Sequence, residues 1–309
     1  MKDRPPALLI VGSMAFDDLQ LPTTSARNVV GGSATYSSYA ASLFCPVGLV
    51  AVVGEDFPDG DLEALARRGV DLAGLERASG KTFRWAGRYD ADLVSRETLD
   101  TQLNVFADFR PKLPRAFRDC PYVLLGNIHP DLQIEVLDQV REPKLVLADT
   151  MNFWIEGEPE RLAALLRRIH VLVINEDEAR QLSGHHNIVK AAKDILQRGP
   201  ARLIVKRGEY GALLFDGEST FFAPAYPLED VIDPTGAGDT FAGALAGYLA
   251  KHEDVSPGAL RRAIMVGTAV ASYCVEAIGT AKLGRLSPAD ITGRLQHLQS
   301  LMHVAHDEI

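Results

Sequence analysis

Short runs of buried-type residues alternate along this chain with amphipathic stretches, and that rhythm limits the fold more than any other feature. Residues 7–11, 49–53, 122–125, 145–148, 171–174 and 203–205 are apolar runs of only three to five residues. Gly12 and Gly54 close the first two. Such runs read as strands buried on both faces. Between the later ones, Leu162, Leu165, Leu166 and Ile169 fall at i, i+3, i+4 and i+7, and Ile188, Ala191, Ala192, Ile195 and Leu196 repeat the spacing. Leu62, Leu65, Ala66 and Val70 follow Pro58-Asp59-Gly60 at near-helical intervals. Strand, helix, strand in this order predicts βαβ units and a mostly parallel sheet with helices on both faces.

One region breaks the rhythm. Phe83, Trp85 and Tyr89 alternate with Arg84 and Arg88, and Leu99, Thr101, Leu103 and Val105 alternate with Gln102 and Asn104. Period two predicts strands with two unlike faces. With the short polar stretch 16–30, they are expected to form a small β lid standing off the main sheet. Farther on, Asp216-Gly217 after residues 212–215 signals a hairpin. A small-residue helix is expected from near Gly236 and a second over about 259–276. Ser287-Pro288-Ala289-Asp290 is a helix start, with an N-cap serine, proline at the first position and an acid three residues after the cap. No internal repeat and no Gly-, Ser- or Pro-rich linker divides the 309 residues.

Charge and cysteine use exclude other classes. The formal net charge of -9 disfavours nucleic acid and anionic membranes as partners. Cys45, Cys120 and Cys274 are odd in number and far apart, so neither a disulfide framework nor a cysteine zinc site is indicated. The opening apolar run is too short for a secretory signal, and nothing approaches 18 apolar residues in a row, so a cytoplasmic protein is expected.

The strongest chemical signal is Asp233-Pro234-Thr235-Gly236-Ala237-Gly238-Asp239-Thr240-Phe241, a glycine-rich turn running straight into a helix. Glycines let successive N–H groups converge, and a helix N-terminus adds partial positive charge, which together make an anion cradle. Asp239 falls in the first turn, where the helix dipole favours its ionised form. A carboxylate there can serve as base for a hydroxyl attacking phosphorus; it can equally be a capping acid on an ordinary turn. Other phosphate motifs fail on spacing. Gly80-Lys81-Thr82 lacks the glycine that a Walker loop needs at position 75, which is Leu75, and a dinucleotide fingerprint would need glycine where Phe241 stands.

The segment 233–243 resembles the C-terminal signature of the ribokinase-like, or PfkB, carbohydrate kinase family. Gly31-Gly32-Ser33-Ala34 is similar to the N-terminal signature. Gly12-Ser13 with Asp17, Asn175-Glu176-Asp177-Glu178 and Gly208-Glu209-Tyr210-Gly211 continue the resemblance in order along nearly the whole chain. The resemblance implies one ribokinase-like domain over residues 1–309: a three-layer α/β/α fold with a mostly parallel central sheet and a small β-sheet lid formed by about 14–31 and 82–110. It implies transfer of the ATP γ-phosphoryl to an alcohol of a small sugar or nucleoside. Asp239 would be the base, and Gly236, Ala237 and Gly238 the anion hole. Asp17, Gly31, Gly32, Ser33 and Tyr36 would meet the substrate. Asn175, Glu178, Lys206, Gly208 and Gly211 would serve the nucleotide, with Asn175 and Glu178 acting on Mg2+ through water. Asp233 and Thr235, beside the turn 277–280, loosely resemble a potassium site.

Two positions depart from the family's sugar kinases. Tyr36 and Ala15 stand where many of them have asparagine. Fewer amides and the aromatics Phe83, Trp85, Tyr89 and Phe106 suit a nucleoside base, but those rings can also pack lid to core or lid to lid in a homodimer. Asn175 also reads as a plain helix N-cap. A non-catalytic sugar or nucleoside sensor on the same scaffold is the alternative; a dinucleotide oxidoreductase is disfavoured by Phe241.

Overall fold

The computed structural model describes residues 5–93, 96–217 and 219–303. Its thirteen described strands are β1 (Leu8–Val11), β2 (Ala15–Gln20), β3 (Ser25–Gly31), β4 (Val47–Val53), β5 (Val70–Arg77), β6 (Phe83–Tyr89), β7 (Arg96–Gln102), β8 (Tyr122–Leu125), β9 (Leu145–Ala148), β10 (Val171–Asn175), β11 (Arg202–Lys206), β12 (Ala212–Phe215) and β13 (Thr220–Ala223). The described helices are α1 (Ser33–Ala41), α2 (Asp59–Arg67), α3 (Pro130–Leu137), α4 (Asn152–Gly157), α5 (Pro159–Leu166), α6 (Glu176–Ser183), α7 (Ile188–Gln197), α8 (Ala237–His252), α9 (Pro257–Cys274) and α10 (Pro288–Met302).

Nine strands form one sheet in the order β13-β12-β11-β10-β9-β8-β1-β4-β5. From β11 to β5 every neighbouring pair is parallel, and the β12–β13 hairpin adds an antiparallel edge. Alternate residues of each central strand feed two cores. Leu8 and Ile10 pack with Leu245, Leu249 and Ile264 of α8 and α9 on one face. Leu9 and Val11 join the core holding Leu132, Leu162 and Ile195 of α3, α5 and α7 on the other. This is the three-layer arrangement, and a sheet buried on both faces explains the short unbroken apolar runs. The small residues of α8 have a packing cause: a Cβ on Gly243 would come within 2.3 Å of the Ser37 carbonyl oxygen, so α1 and α8 meet backbone to backbone. Among the described residues no helix is long and apolar enough to cross a membrane.

A second sheet has the order β3-β2-β6-β7, with β2 and β6 parallel. Asp56 fastens its entry by accepting from the Thr82 amide and hydroxyl at 2.8 and 2.7 Å. Phe83 and Phe106 stack at 5.5 Å, and Phe106 and Phe109 at 5.7 Å, which joins this sheet to the body. Two local expectations are corrected. Val70 does not continue a helix but opens β5. The alternation through Leu103 and Val105 does not continue as strand: β7 ends at Gln102 and a 3₁₀ turn spans Asn104–Asp108, turning Val105 and Phe106 into the core beneath.

Candidate active site

The chain reverses direction across the sheet between β1 and β8: one side is built by β4 and β5, the other by β8 to β11. A crevice opens outside the carboxyl ends of strands at such a point. Gly12 and Ser13 follow β1, Asp149 follows β9, and Asn175 and Lys206 end β10 and β11. The first turn of α8 comes to the same edge.

Buried Asp233 sets the glycine-rich turn. One carboxylate oxygen accepts from the Thr235 amide at 2.9 Å and the other from the Gly279 amide at 3.0 Å, so the turns 233–236 and 277–280 are held together. Gly236 caps α8 at φ 74, in the left-handed region that favours glycine. A side chain there would also drive into the Tyr36 ring, whose carbons lie 2.4 Å from an ideal Cβ. The Ala237 amide donates to Pro234 O at 3.2 Å. The amides of Gly238 and Asp239 precede the first intrahelical acceptor, as every helix start requires. Ser37 of α1 donates to the Asp239 carbonyl at 3.0 Å and steadies the turn.

Lys206 stands beneath this turn, its Nζ 3.0 Å from where a Cβ on Gly238 would lie. It pairs with Asp149 at 2.8 Å. Burial works against the ammonium charge, but Asp149, Glu178 and Asp239 more than offset it and raise its pKa. The sequence places Asp149 at the head of a D-x-N-like segment after a central strand but assigns it no role. The available signal was an acid directly after an all-apolar strand, at the carboxyl edge where ligands bind.

Asp239 is half-buried. Burial first, then Asp149, pushes its carboxyl up to about 7, with Lys206 and Arg96 pulling the other way. Burial and a neighbouring acid thus work against the helix dipole, which favours the ionised form. Glu178 rises to about 7 for the same two reasons. Asn175 and Glu178 form a reciprocal capping box, the Asn175 side chain accepting from the Glu178 amide and the Glu178 carboxylate from the Asn175 amide, each at 2.8 Å. The capping role is thus present, and one Glu178 oxygen is left over for other work. Gly208 and Gly211, at φ 55 and 90, bracket a 3₁₀ turn after β11. At Gly211 a Cβ would overlap the Ala223 carbonyl at 2.0 Å.

On the other side of the crevice, burial, then Asp233 and Asp239, pushes buried Asp17 up to about 8. Gly31 makes room for it, since a Cβ there would lie 2.0 Å from its Oδ2. Gly32, at φ 92, caps α1. Ser33 is engaged internally: its Oγ accepts from the Ser13 amide at 3.1 Å and its amide donates to Ser13 Oγ at 3.2 Å. Tyr36 is only 1% exposed and its hydroxyl has no partner among the described residues. Thr235 donates to the Tyr89 hydroxyl at 3.1 Å, tying β6 to the glycine-rich turn. Arg96, also unforeseen in the sequence, lies across from Tyr89 on β7.

A magnesium–nucleotide complex suits this donor set. Burial and then the nearby Asp149 raise both Glu178 and Asp239, and a cation there relieves the repulsion. Among the described residues no three acidic, histidine or cysteine side chains form a metal cage of their own. That fits an ion held largely by phosphate and water.

A family model for pfkB family carbohydrate kinases matches residues 8–284. A cytidine kinase from Thermococcus kodakarensis is 29% identical over 247 residues, covering 78% of this chain and 88% of that protein. Arabidopsis thaliana ribokinase, solved with ribose and ATP, is 25% identical with a TM-score of 0.76, over 95% of this chain and 99% of that one. An E. coli protein designated ribokinase II, solved with ATP and Mg2+, shares the fold at 21% identity with a TM-score of 0.77, over 94% and 99% of the two chains.

Proposed function

The chain belongs to the pfkB family of carbohydrate kinases, and from that premise we propose how its residues carry the reaction and which acceptor they suit. It is an ATP-dependent sugar or nucleoside kinase. The observation that carries the mechanism is the meeting of Asp239, Lys206 and the open amides of the α8 first turn at one sheet edge. ATP lies along Gly208–Gly211 and the ends of β10 and β11, with its γ-phosphate over Gly236, Ala237 and Gly238. Lys206 and the Gly238 amide hold its oxygens. Asn175 and Glu178 would hold Mg2+ through water, and the ion, when bound, would supply charge neutralisation to the phosphates. Asp17 and the backbone at Gly31 and Gly32 grip acceptor hydroxyls. Asp239, near pKa 7, accepts the proton of the attacking hydroxyl. The whole chain acts as one catalytic unit, and the small sheet is its lid. For a monovalent cation near Asp233 and Thr235 the support is family resemblance, since both Asp233 oxygens already accept amides.

A nucleoside fits better than a bare sugar. The two positions that bring asparagine to related sugar pockets hold Ala15 and a buried Tyr36. Phe83 and Phe106 are taken up by stacking, but Trp85 and Tyr89 line the cleft side of the lid, where a base would lie. The cytidine kinase relative supports the same choice. The test is a coupled ADP-release assay with cytidine, uridine, adenosine, inosine, ribose and fructose, with products identified by mass. Phosphorylated nucleoside is the expected product. Transfer to bare sugars alone would reverse the choice, and transfer to none would remove the kinase mechanism.

A further inference from the structure

Gln133 is wholly buried in the middle of α3, a helix whose other buried side chains include Leu132, Val136 and Leu137 of the hydrocarbon core. Its Nε2 donates twice, to the Gly126 carbonyl at 2.9 Å and to the Asp149 carbonyl at 3.0 Å. Both partners are acceptors, so the end of the amide that meets them is the nitrogen. The Oε1 is then left without a partner among the described residues. A buried amide with its oxygen unmet is a poor choice for stability alone, because that oxygen loses its water and gains nothing in exchange. Breaks of this kind in an otherwise consistent core concentrate at functional sites.

The two N–H bonds hold the edge of the cleft. Gly126 and Asp149 are the first residues beyond β8 and β9, which pair in parallel beside the point where the chain reverses across the sheet. At Asp149 every polar group is engaged. Its amide donates to Leu125 O at 3.0 Å, and its carbonyl accepts from Gln133. One carboxylate oxygen accepts from the Thr150 amide at 2.8 Å and the other from Lys206 Nζ at 2.8 Å. Lys206 in turn stands 3.0 Å from where a Cβ on Gly238 would lie. A lysine stem is flexible and has no preferred seat of its own, so the carboxylate sets where this ammonium stands. A tilt of the peptide plane at residue 149 would swing that carboxylate, and one side chain from the helix layer fixes the tilt.

We propose that Gln133 is a positioning residue for phosphoryl transfer: by holding the Asp149 carbonyl it sets the angle of the Asp149 carboxylate and so seats Lys206 against the glycine-rich turn. The proposal rests on the phosphotransfer reading above. Gln133 touches no substrate and makes no bond in the reaction. Its effect reaches the phosphate only through Asp149 and Lys206, and a misplacement of about 1 Å in a group that holds a reactant costs up to about 100-fold in rate. Stability and catalysis separate along this route. The bonds to the two carbonyls brace the fold whatever side chain residue 149 carries, whereas the effect on ATP requires both the carboxylate and the lysine.

The test uses Gln133→Met, which keeps the side-chain length and removes both donors, and Gln133→Asn, whose amide is one methylene shorter. Each is made in wild type and in Lys206→Met/Asp149→Asn, where the intermediary pair is gone but the carbonyl of residue 149 remains. The readouts are kcat/KM for ATP with the best acceptor of the panel, MgATP affinity by calorimetry, and the denaturant midpoint. No transfer by wild type removes the phosphotransfer reading and this inference with it; an active wild type isolates Gln133. In wild type, Gln133→Met should lower kcat/KM for ATP and MgATP affinity by about tenfold each, with acceptor KM within about twofold. In the background without the pair, the same substitution should change MgATP affinity by no more than about twofold, while lowering the denaturant midpoint as much as it does in wild type. Gln133→Asn keeps a polar group in the core and carries the test if Gln133→Met does not fold, with an expected fall in kcat/KM of about threefold or more. An unchanged kcat/KM in a folded variant overturns the proposal. So does an equal loss of MgATP affinity in both backgrounds, which would mark Gln133 as a brace for the fold alone.

Discussion

On the large-sheet side of the cleft the charged groups pair within a buried edge, whereas on the lid side the groups that face the cleft are held by single neutral and aromatic contacts, Tyr89 with Thr235 and Trp85 with Arg96. Lys206 holds Asp149, Asn175 and Glu178 cap one another, and Asp233 carries two amides. Asp149, Asn175 and Lys206 sit at the ends of strands buried on both faces. By contrast β7 is exposed along its whole length, and the lid's own core consists of Leu19, Leu21 and Tyr89 with a few partly buried neighbours such as Ile278. Local stability follows local burial. The large sheet therefore supplies fixed electrostatics, and the lid supplies contacts that are completed when substrate is present. The two roles fail differently when mutated, and that difference can be measured.

The largest effect belongs to the fixed side. Asp239→Asn keeps the shape of the turn and removes the proposed base. Turnover should fall by roughly 100-fold or more while MgATP binding stays within about threefold, as read by steady-state kinetics and calorimetry. In wild type the base must be ionised, and its pKa is near 7. The rate should thus climb through pH 7 and level off above it, and the acid limb should vanish in the variant. An unaltered acid limb in Asp239→Asn would assign it to another group.

Lys206→Met tests whether that side is prebuilt. Removing the cation leaves Asp149 buried and uncompensated, which should cost about 3 kcal/mol in denaturant unfolding. The double variant Lys206→Met/Asp149→Asn should regain most of that loss. Lys206 also lowers the Asp239 pKa, so its loss should move the acid limb of any remaining activity to higher pH. Equal stability of the single variant and wild type would mean that the pair forms only with ATP bound.

How much of this contrast was legible in the sequence depended on whether a residue's role is local. The turn at Gly236, the capping box at Asn175 and the start at Ser287 depend on neighbours within three residues, and each stands where it was expected. The amphipathic helices α5 and α7 were readable because one face is wet. Helix α1 was not, because every residue of it is buried and no period survives. Asp149 gains its meaning from Lys206, 57 residues away, and Arg96 from strand register with Tyr89. Neither spacing leaves a mark in one sequence. Tyr36 was read as a pocket residue from its place after the paired glycines; that its ring packs under Gly236 could not be read there.

Asp17 sits where the two sides meet and should give a smaller, sign-specific effect. Its folded-state pKa is raised from 3.8 to about 8. The stability that the neutral carboxyl contributes is complete below the ordinary aspartate range and is lost as pH rises through 8. Asp17→Asn should accordingly melt at or above wild type, with an advantage of about 1–3 kcal/mol that grows from pH 5 to pH 9. The same variant should raise acceptor KM by about tenfold through loss of a carboxyl oxygen that grips an acceptor hydroxyl. A variant less stable than wild type at pH 9 would mean that Asp17 is held ionised by a partner.

The smallest effect should come from the seam itself. Tyr89→Phe deletes the hydrogen bond from Thr235 at 3.1 Å, along with the contact of the same hydroxyl with Arg96, and keeps the ring that packs with Leu19 and Leu21. A neutral hydrogen bond of this kind contributes about 1 kcal/mol, or roughly a fivefold change in an equilibrium. If it stabilises the closed lid, its loss should lower kcat/KM for the acceptor by no more than about fivefold and leave MgADP affinity unchanged. Thr235→Val removes the same Thr235–Tyr89 bond and should reproduce the larger part of that loss, and the double variant should add little to Tyr89→Phe. A loss as large as that of Asp239→Asn would show that the lid takes part in holding the glycine-rich turn in its working shape, and the division between a fixed side and a delivered side would fail at that residue.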